Sequence, residues 1–188
     1  MTIPGIPMIY AGQEIGVTSQ RGLIYWGSDP NNMFQLYYKL VQPRRSFPAM
    51  NTPDMVRLNN TQPSTVYSIG RYKDGEDPVI SVMNFANWPQ VVTITVPVEE
   101  WGIHPDSTYC LNEIIGGSYL WRTGSQLAAI TTSMNGTSSR SYAITDSIFT
   151  LDVEYEEIQL VRNFSIAQNY PNPFNQECVI RFETPRIA

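Results

Sequence analysis

The chain has 188 residues, 42% of them apolar and only 15% charged, with a net charge of −5. That length gives one domain or two small ones. The low charge, together with abundant Thr, Ser, Tyr and Val, favours an extracellular β-protein. The negative balance, with Arg44-Arg45 as the only basic pair, argues against a nucleic-acid binder, and no apolar run reaches the roughly 18 residues of a membrane-spanning helix.

The N-terminal stretch has no basic region and no small-residue cleavage site, so it does not read as a signal peptide. Residues 1–12 read instead as a strand buried on both faces, because Ile3, Ile6, Met8, Ile9 and Tyr10 form a nearly continuous apolar run. Pro4 and Pro7 confine ladder bonding to Met8–Ala11. A loop follows, with Gln13 and Glu14 near its start. Asp29-Pro30 then reads as an N-cap followed by a first helical residue. Met33, Leu36, Tyr37, Leu40 and Val41 recur at helical spacing, which predicts a helix to about Gln42. Pro43 should end or kink it, with Arg44 and Arg45 at its C-terminal end.

After Pro48 the pattern becomes short runs rich in Val, Ile, Thr and Tyr. The runs are Met55–Leu58, Val66–Tyr72, Val79–Phe85, Val91–Val96, Thr108–Glu113, Ser141–Ile144, Ile148–Val153 and Glu157–Val161. Asp74-Gly75 and Asn135-Gly136 are turn dipeptides between them. So many short strands at this spacing predict an antiparallel sandwich. From Ser165 the chain changes again: the prolines of Asn169-Tyr170-Pro171-Asn172-Pro173-Phe174-Asn175 block helix and regular strand, and Val179–Phe182 reads as a single strand. Cys110 and Cys178 lie far apart without metal-ligand spacing and read as two idle thiols.

Two segments resemble known families. Thr2-Ile3-Pro4-Gly5-Ile6-Pro7-Met8-Ile9-Tyr10-Ala11-Gly12-Gln13-Glu14-Ile15-Gly16 resembles the eighth barrel strand of glycoside hydrolase family 13, the α-amylase family. The helix Phe34–Leu40, with Arg44-Arg45 and Phe47-Pro48-Ala49, is similar to that family's last barrel helix, although Pro43 replaces a usual apolar residue. Val66–Arg71 and Val79–Phe85 resemble early strands of the Greek-key domain C that follows the barrel. The segment Gln168–Asn175 with Val179–Phe182 resembles the opening of a type IX secretion C-terminal sorting domain, which is an Ig-like sandwich.

These resemblances imply a mainly β chain. Residues 1–50 would be the last β/α unit of a (β/α)8 TIM barrel, 51–162 an antiparallel Greek-key sandwich (domain C), and 163–188 a linker with the first strand of a truncated sorting domain. They imply a sequence cut at both ends, and an α-glucan hydrolase secreted by, or held at the surface of, a Gram-negative bacterium through the type IX machinery. Retaining hydrolysis needs two carboxyl groups roughly 5–5.5 Å apart. The family's nucleophile Asp, acid Glu and third Asp lie on strands four, five and seven, upstream of this segment, so no catalytic residue is expected in the chain and the chain alone is expected to be inactive. Calcium sites of such a parent enzyme are likewise expected mostly upstream, and no cofactor is expected here.

Gln13 and Glu14 are candidates for the rim of the sugar cleft; the alternative is that Glu14 pairs with a neighbouring loop. His104, in His104-Pro105-Asp106, has no nucleophile elbow to serve. Trp26, Trp88, Trp101 and Trp121 read as turn and core packing rather than sugar-stacking platforms. Sequons begin at Asn59, Asn135 and Asn163 and read as idle in a bacterial protein. The competing function is a non-catalytic carbohydrate-binding or structural sandwich exported as type IX cargo. What discriminates the two is the N-terminal segment, whose apolar strand and helix face need the rest of a barrel to cover them.

Overall fold

The structure is a computed structural model that describes residues 3–18, 24, 28–151, 165–166, 179 and 182–183. The chain divides into two units, Met1–Asp152 and Val153–Ala188. The first contains two α-helices, α1 (Met33–Ser46) and α2 (Gly124–Leu127), and the strands β1 (Val56–Arg57), β2 (Val66–Arg71), β3 (Val79–Asn84), β4 (Gln90–Thr95), β5 (Thr108–Glu113), β6 (Tyr119–Thr123), β7 (Ala129–Met134) and β8 (Ser138–Thr145). In the second, β9 (Ser165–Ile166) pairs antiparallel with β10 (Phe182–Glu183).

The strands of the first unit form a six-stranded sheet in the order β1-β2-β3-β8-β5-β6 and a two-stranded sheet of β4 and β7. All their pairings are antiparallel. The chain leaves the large sheet after β3, returns to it as β5 and β6, crosses to β7, and comes back as β8 between β3 and β5. Strand alternation fixes which residues meet. Val66, Ile80, Val82, Tyr142, Ile144 and Leu111 of the large sheet form one buried cluster with Val92, Ile94, Ile130 and Met134 of the small one. Thr132 and Tyr142 are both buried and share a 2.6 Å hydrogen bond across this layer, which satisfies two polar groups that burial would otherwise penalise.

The other face of the large sheet is covered too. Val79 and Ala143 lie there beneath Phe47 and Met50, which follow α1, with Phe149 and Leu151 packed alongside. Asn112 holds that last segment down. Its side chain donates to Thr145 Oγ1 (2.7 Å) and the Ser147 carbonyl (3.2 Å), and accepts from the Phe149 N–H (2.9 Å). The Phe149 ring thereby meets Phe47 at 4.7 Å between centroids.

Across the same face runs Arg71, with 1% of its surface exposed. Its guanidinium donates to the carbonyls of Asp54 (2.9 Å), Met50 (2.9 Å) and Thr52. Burial, then the charge of Arg44, lowers its pKa, partly countered by Asp54. Arg44 in turn donates to the Met50 carbonyl (3.3 Å) and to those of Gly5 (2.8 Å) and Ile3 (3.2 Å). One arginine on a strand and one on a helix thus fix the turn that joins them.

The sequence placed most strands within two residues of their observed limits, and β5 at its limits. It missed β6 and β7. β6 is an edge strand whose Tyr119–Arg122 residues are all exposed, so no apolar alternation marks it. In β7 the inward positions are Ile130, Thr132 and Met134, and the buried Thr132 hides the alternation. Residues 148–151 of the expected strand Ile148–Val153 are not a strand, because they are held by the Asn112 side chain rather than a ladder; Glu157–Val161 lies outside the described residues. Nor do residues 3–12 form the buried strand expected there. No described strand pairs with them, Pro4 and Pro7 supply no N–H, and Ile6 and Met8 are 98% and 88% exposed.

Two further expectations change. The helix α1 runs through Pro43 to Ser46, and the Pro43 carbonyl still accepts from the Phe47 N–H at 2.8 Å. Proline removes one donor, and packing retains the rest of the turn. Asp29 does cap the helix start, but across a loop: its carboxylate accepts from the Met33 and Phe34 N–H groups at 2.8 and 2.9 Å, while Asn32, with φ 52°, occupies the N-cap position. In the second unit the expected lone strand finds a partner, since Phe182 pairs with Ile166 of a segment read as linker.

Gly70 is required by close approach. A Cβ there would lie 2.5 Å from the buried Trp101 ring. Gly70→Ala is expected to lower stability by about 1–3 kcal/mol through overpacking, read as a fall in the urea midpoint. Arg71→Met is expected to cost more, about 3–5 kcal/mol in the same measurement, because three carbonyls lose a charged donor.

Candidate functional site

Gln13 and Glu14 lie together in a one-turn 3-10 helix, Gln13–Ile15, bounded by Gly12 and Gly16 at φ 89° and 74°. Both glycines occupy the left-handed region, which sets the abrupt turn into and out of this short element. The turn closes through Gln13 N–H to the Tyr10 carbonyl (2.9 Å) and Gly16 N–H to the Gln13 carbonyl (3.1 Å). The Gln13 side chain is exposed and its Oε1 accepts from the Tyr10 N–H at 3.3 Å. Glu14 is half-buried, and one of its carboxylate oxygens is buried without a hydrogen-bond partner among the described residues. A lone carboxylate in a short turn can orient a ligand or a loop. Acid–base hydrolysis between two opposed carboxyl groups requires a second one.

The sorting motif Asn169, Tyr170, Pro171, Asn172, Pro173, Phe174 and Asn175 lies outside the described residues, as do Trp26 and Cys178. His104 is exposed, and its backbone N–H donates to the Tyr109 hydroxyl at 2.9 Å. Cys110 is buried; burial raises its thiol pKa, while a 3.4 Å hydrogen bond to Asn112 works the other way. Trp101 is a core residue as read, whereas Trp88 and Trp121 are about half exposed, at 55% and 45%. Trp121 shares its face with Tyr119 on β6, two residues apart along the strand.

No three His, Cys, Asp or Glu side chains converge among the described residues.

A concave feature not singled out in the sequence lies at the end of the sandwich where β2 turns into β3. It is a cavity of about 310 Å³ with Tyr72, Asp77, Trp101, Tyr109 and Asp146 in its lining. Tyr72 and Trp101 stack at 5.9 Å between centroids with planes 8° apart. Asp77 has its pKa raised from the ordinary 3.8 by burial, then by Asp146 and Glu76. The signals for it were Asp74-Gly75 and the carboxylates flanking it, which read only as a turn.

The raised Asp77 pKa has a definite sign. The folded state binds that proton more tightly than the unfolded chain does, so the contribution is full below the unfolded pKa and is lost as pH rises through the folded one. Asp77→Asn is expected to raise the melting temperature near pH 7 and to leave it unchanged at a pH below both values. An equal effect at both pH values would contradict the assignment.

No protein-family profile matches the chain, and no curated protein sequence matches it. Its fold is similar to that of solved amylases. One is the noncanonic maltogenic α-amylase AmyB from Thermotoga neapolitana, with TM-score 0.58 and 17% identity over 77% of this chain and 34% of that one. Another is an Anoxybacillus α-amylase, linked to a new glycosyl hydrolase subclass, with TM-score 0.59 and 18% identity over 79% of this chain and 31% of that one. The chain therefore spans about a third of the length of either enzyme, and what it shares with them is a mainly antiparallel β fold of the kind amylases carry.

Proposed function

We propose that this chain is the C-terminal part of a secreted α-amylase-like glycoside hydrolase acting on α-glucans. In this reading residues 1–50 are the last β/α unit of the catalytic barrel, 51–162 are domain C, and 163–188 open a type IX sorting domain. The observation that carries the reading is a pairing of two features. The sandwich shares its fold with two α-amylases, and the segment before it presents Ile3, Ile6, Met8 and Tyr10, with Phe34 and Leu36 on α1, to solvent. A self-sufficient binding module has no use for such a surface, whose apolar character suits contact with further protein. The resemblance of Thr2–Gly16 to a final barrel strand says which protein that would be. Gln13 and Glu14 then stand at the C-terminal end of that strand, the end at which barrel enzymes build their active sites.

The catalytic carboxylates belong to the upstream strands in this reading, so the chain contributes cleft rim, sandwich and export address rather than chemistry. The purified 188-residue chain is expected to release no reducing sugar from starch. The product of the gene extended upstream is expected to hydrolyse starch with retention of anomeric configuration. Turnover by the short chain, or an upstream coding sequence without a barrel, would overturn the proposal. Limited proteolysis of the short chain is expected to cut first within residues 1–50; protection of that region would favour the free-module alternative instead.

A further inference from the structure

We propose that the cavity at the β2–β3 end of the sandwich is a binding subsite for a neutral sugar. Its volume of about 310 Å³ falls at the lower end of the range of small-molecule sites, roughly 300–1,000 Å³. Three kinds of group converge on it, and each matches one feature of a sugar.

The first is a flat apolar wall. Tyr72 is half-buried and backed by the buried Trp101 in a near-parallel stack. The Trp101 ring is itself held against Gly70, so the wall is preorganised and its ordering costs a ligand little. Aromatic faces of this kind accept the C–H surface of a pyranose ring.

The second is a set of acceptors. Asp74 accepts a hydrogen bond from the Tyr72 hydroxyl at 3.2 Å and Glu76 pairs with Lys73 at 3.3 Å, so these two are engaged within the hairpin. Asp77 and Asp146 have no such partner among the described residues, and burial, then the neighbouring Asp146, raises the Asp77 pKa. Sugar hydroxyls are donors that satisfy such carboxylates with charge-assisted bonds. The third is a donor. The Tyr109 hydroxyl accepts from the His104 N–H at 2.9 Å, which fixes the oxygen and leaves its proton to give to a ligand.

A metal ion is the competing occupant of any carboxylate-rich cavity. Among the described residues no three His, Cys, Asp or Glu side chains converge, whereas the aromatic wall has a role toward a sugar and none toward a hard cation.

Equilibrium dialysis of the full chain against labelled maltotriose and cellotriose tests this; the choice of glucans as probes rests on the hydrolase reading above. One sugar per chain is expected to bind with millimolar affinity. Binding should weaken by at least about fivefold in Tyr72→Leu and in the isosteric Asp146→Asn, and stay unchanged in Trp88→Ala. Far-UV circular dichroism of each variant separates loss of binding from loss of fold, and the exposed Asp146→Asn keeps the test open if Tyr72→Leu misfolds. Uptake of neither sugar, uptake indifferent to both variants, or binding of calcium alone that Asp146→Asn abolishes would overturn the subsite. Preference for cellotriose would keep the subsite and remove its link to α-glucans, while starch hydrolysis by the extended gene product tests the enzyme reading independently.

Discussion

Arg71 is the constraint around which the first unit is arranged. A guanidinium buried to 1% exposure is tolerable only where its donors meet acceptors. Here the acceptors are main-chain carbonyls of Met50, Thr52 and Asp54 rather than a carboxylate. Carbonyls of three alternate residues in one turn cannot be supplied one at a time. The turn must take one conformation, and taking it carries Phe47 and Met50 onto Val79 and Ala143. The same turn is gripped from the helix side by Arg44, which also holds residues 3 and 5. Polar satisfaction and apolar cover of the sheet are therefore one event, and the segment leading into the sandwich is anchored as a result.

That anchoring gives meaning to what lies beyond it. Ile3 and Gly5 are tethered through their carbonyls, yet the side chains of Ile3, Ile6, Met8 and Tyr10 face water. The sandwich has its own core between two sheets and completes it without them. The buried cluster from Leu58 to Ile144 closes between the two sheets, while Ile3, Ile6, Met8 and Tyr10 stay exposed. That contrast is what the proposed reading as part of a larger enzyme would explain.

Much of the fold was legible because strands buried on one face announce themselves by alternation. β4, with Val92 and Ile94 inward and Val91 and Thr95 outward, is a plain case. β3, buried on nearly every residue, was found by its β-branched content instead. The failures share a cause. β6 has no buried face, β7 buries a threonine, and α1 carries a proline that tertiary packing tolerates. Local pattern reports local preference, and each of these is decided by partners remote in sequence. The same holds for the sites. Gln13 and Glu14 are neighbours in the chain, so their shared turn could be read directly. The cavity joins Tyr72, Trp101, Tyr109 and Asp146, which come together only through the sheet order β2-β3-β8-β5, and no spacing along the chain encodes that.

Asn84, at the end of β3, is buried. Its amide donates to the Trp88 and Asn135 carbonyls, and its oxygen accepts from the Ala86 N–H and the Gln90 side chain. Beside it Gly136 passes so close to Asn87 that a Cβ would lie 2.4 Å from its carbonyl carbon. One side chain therefore joins two loops separated by the chain that forms β4 to β7. In kinetic terms this is a contact of high sequence separation, and closing that loop of chain must precede its reward. The shape of the loop carrying Phe85 and Trp88 therefore rests on a contact whose two sides meet only when β4 to β7 lie in their native places.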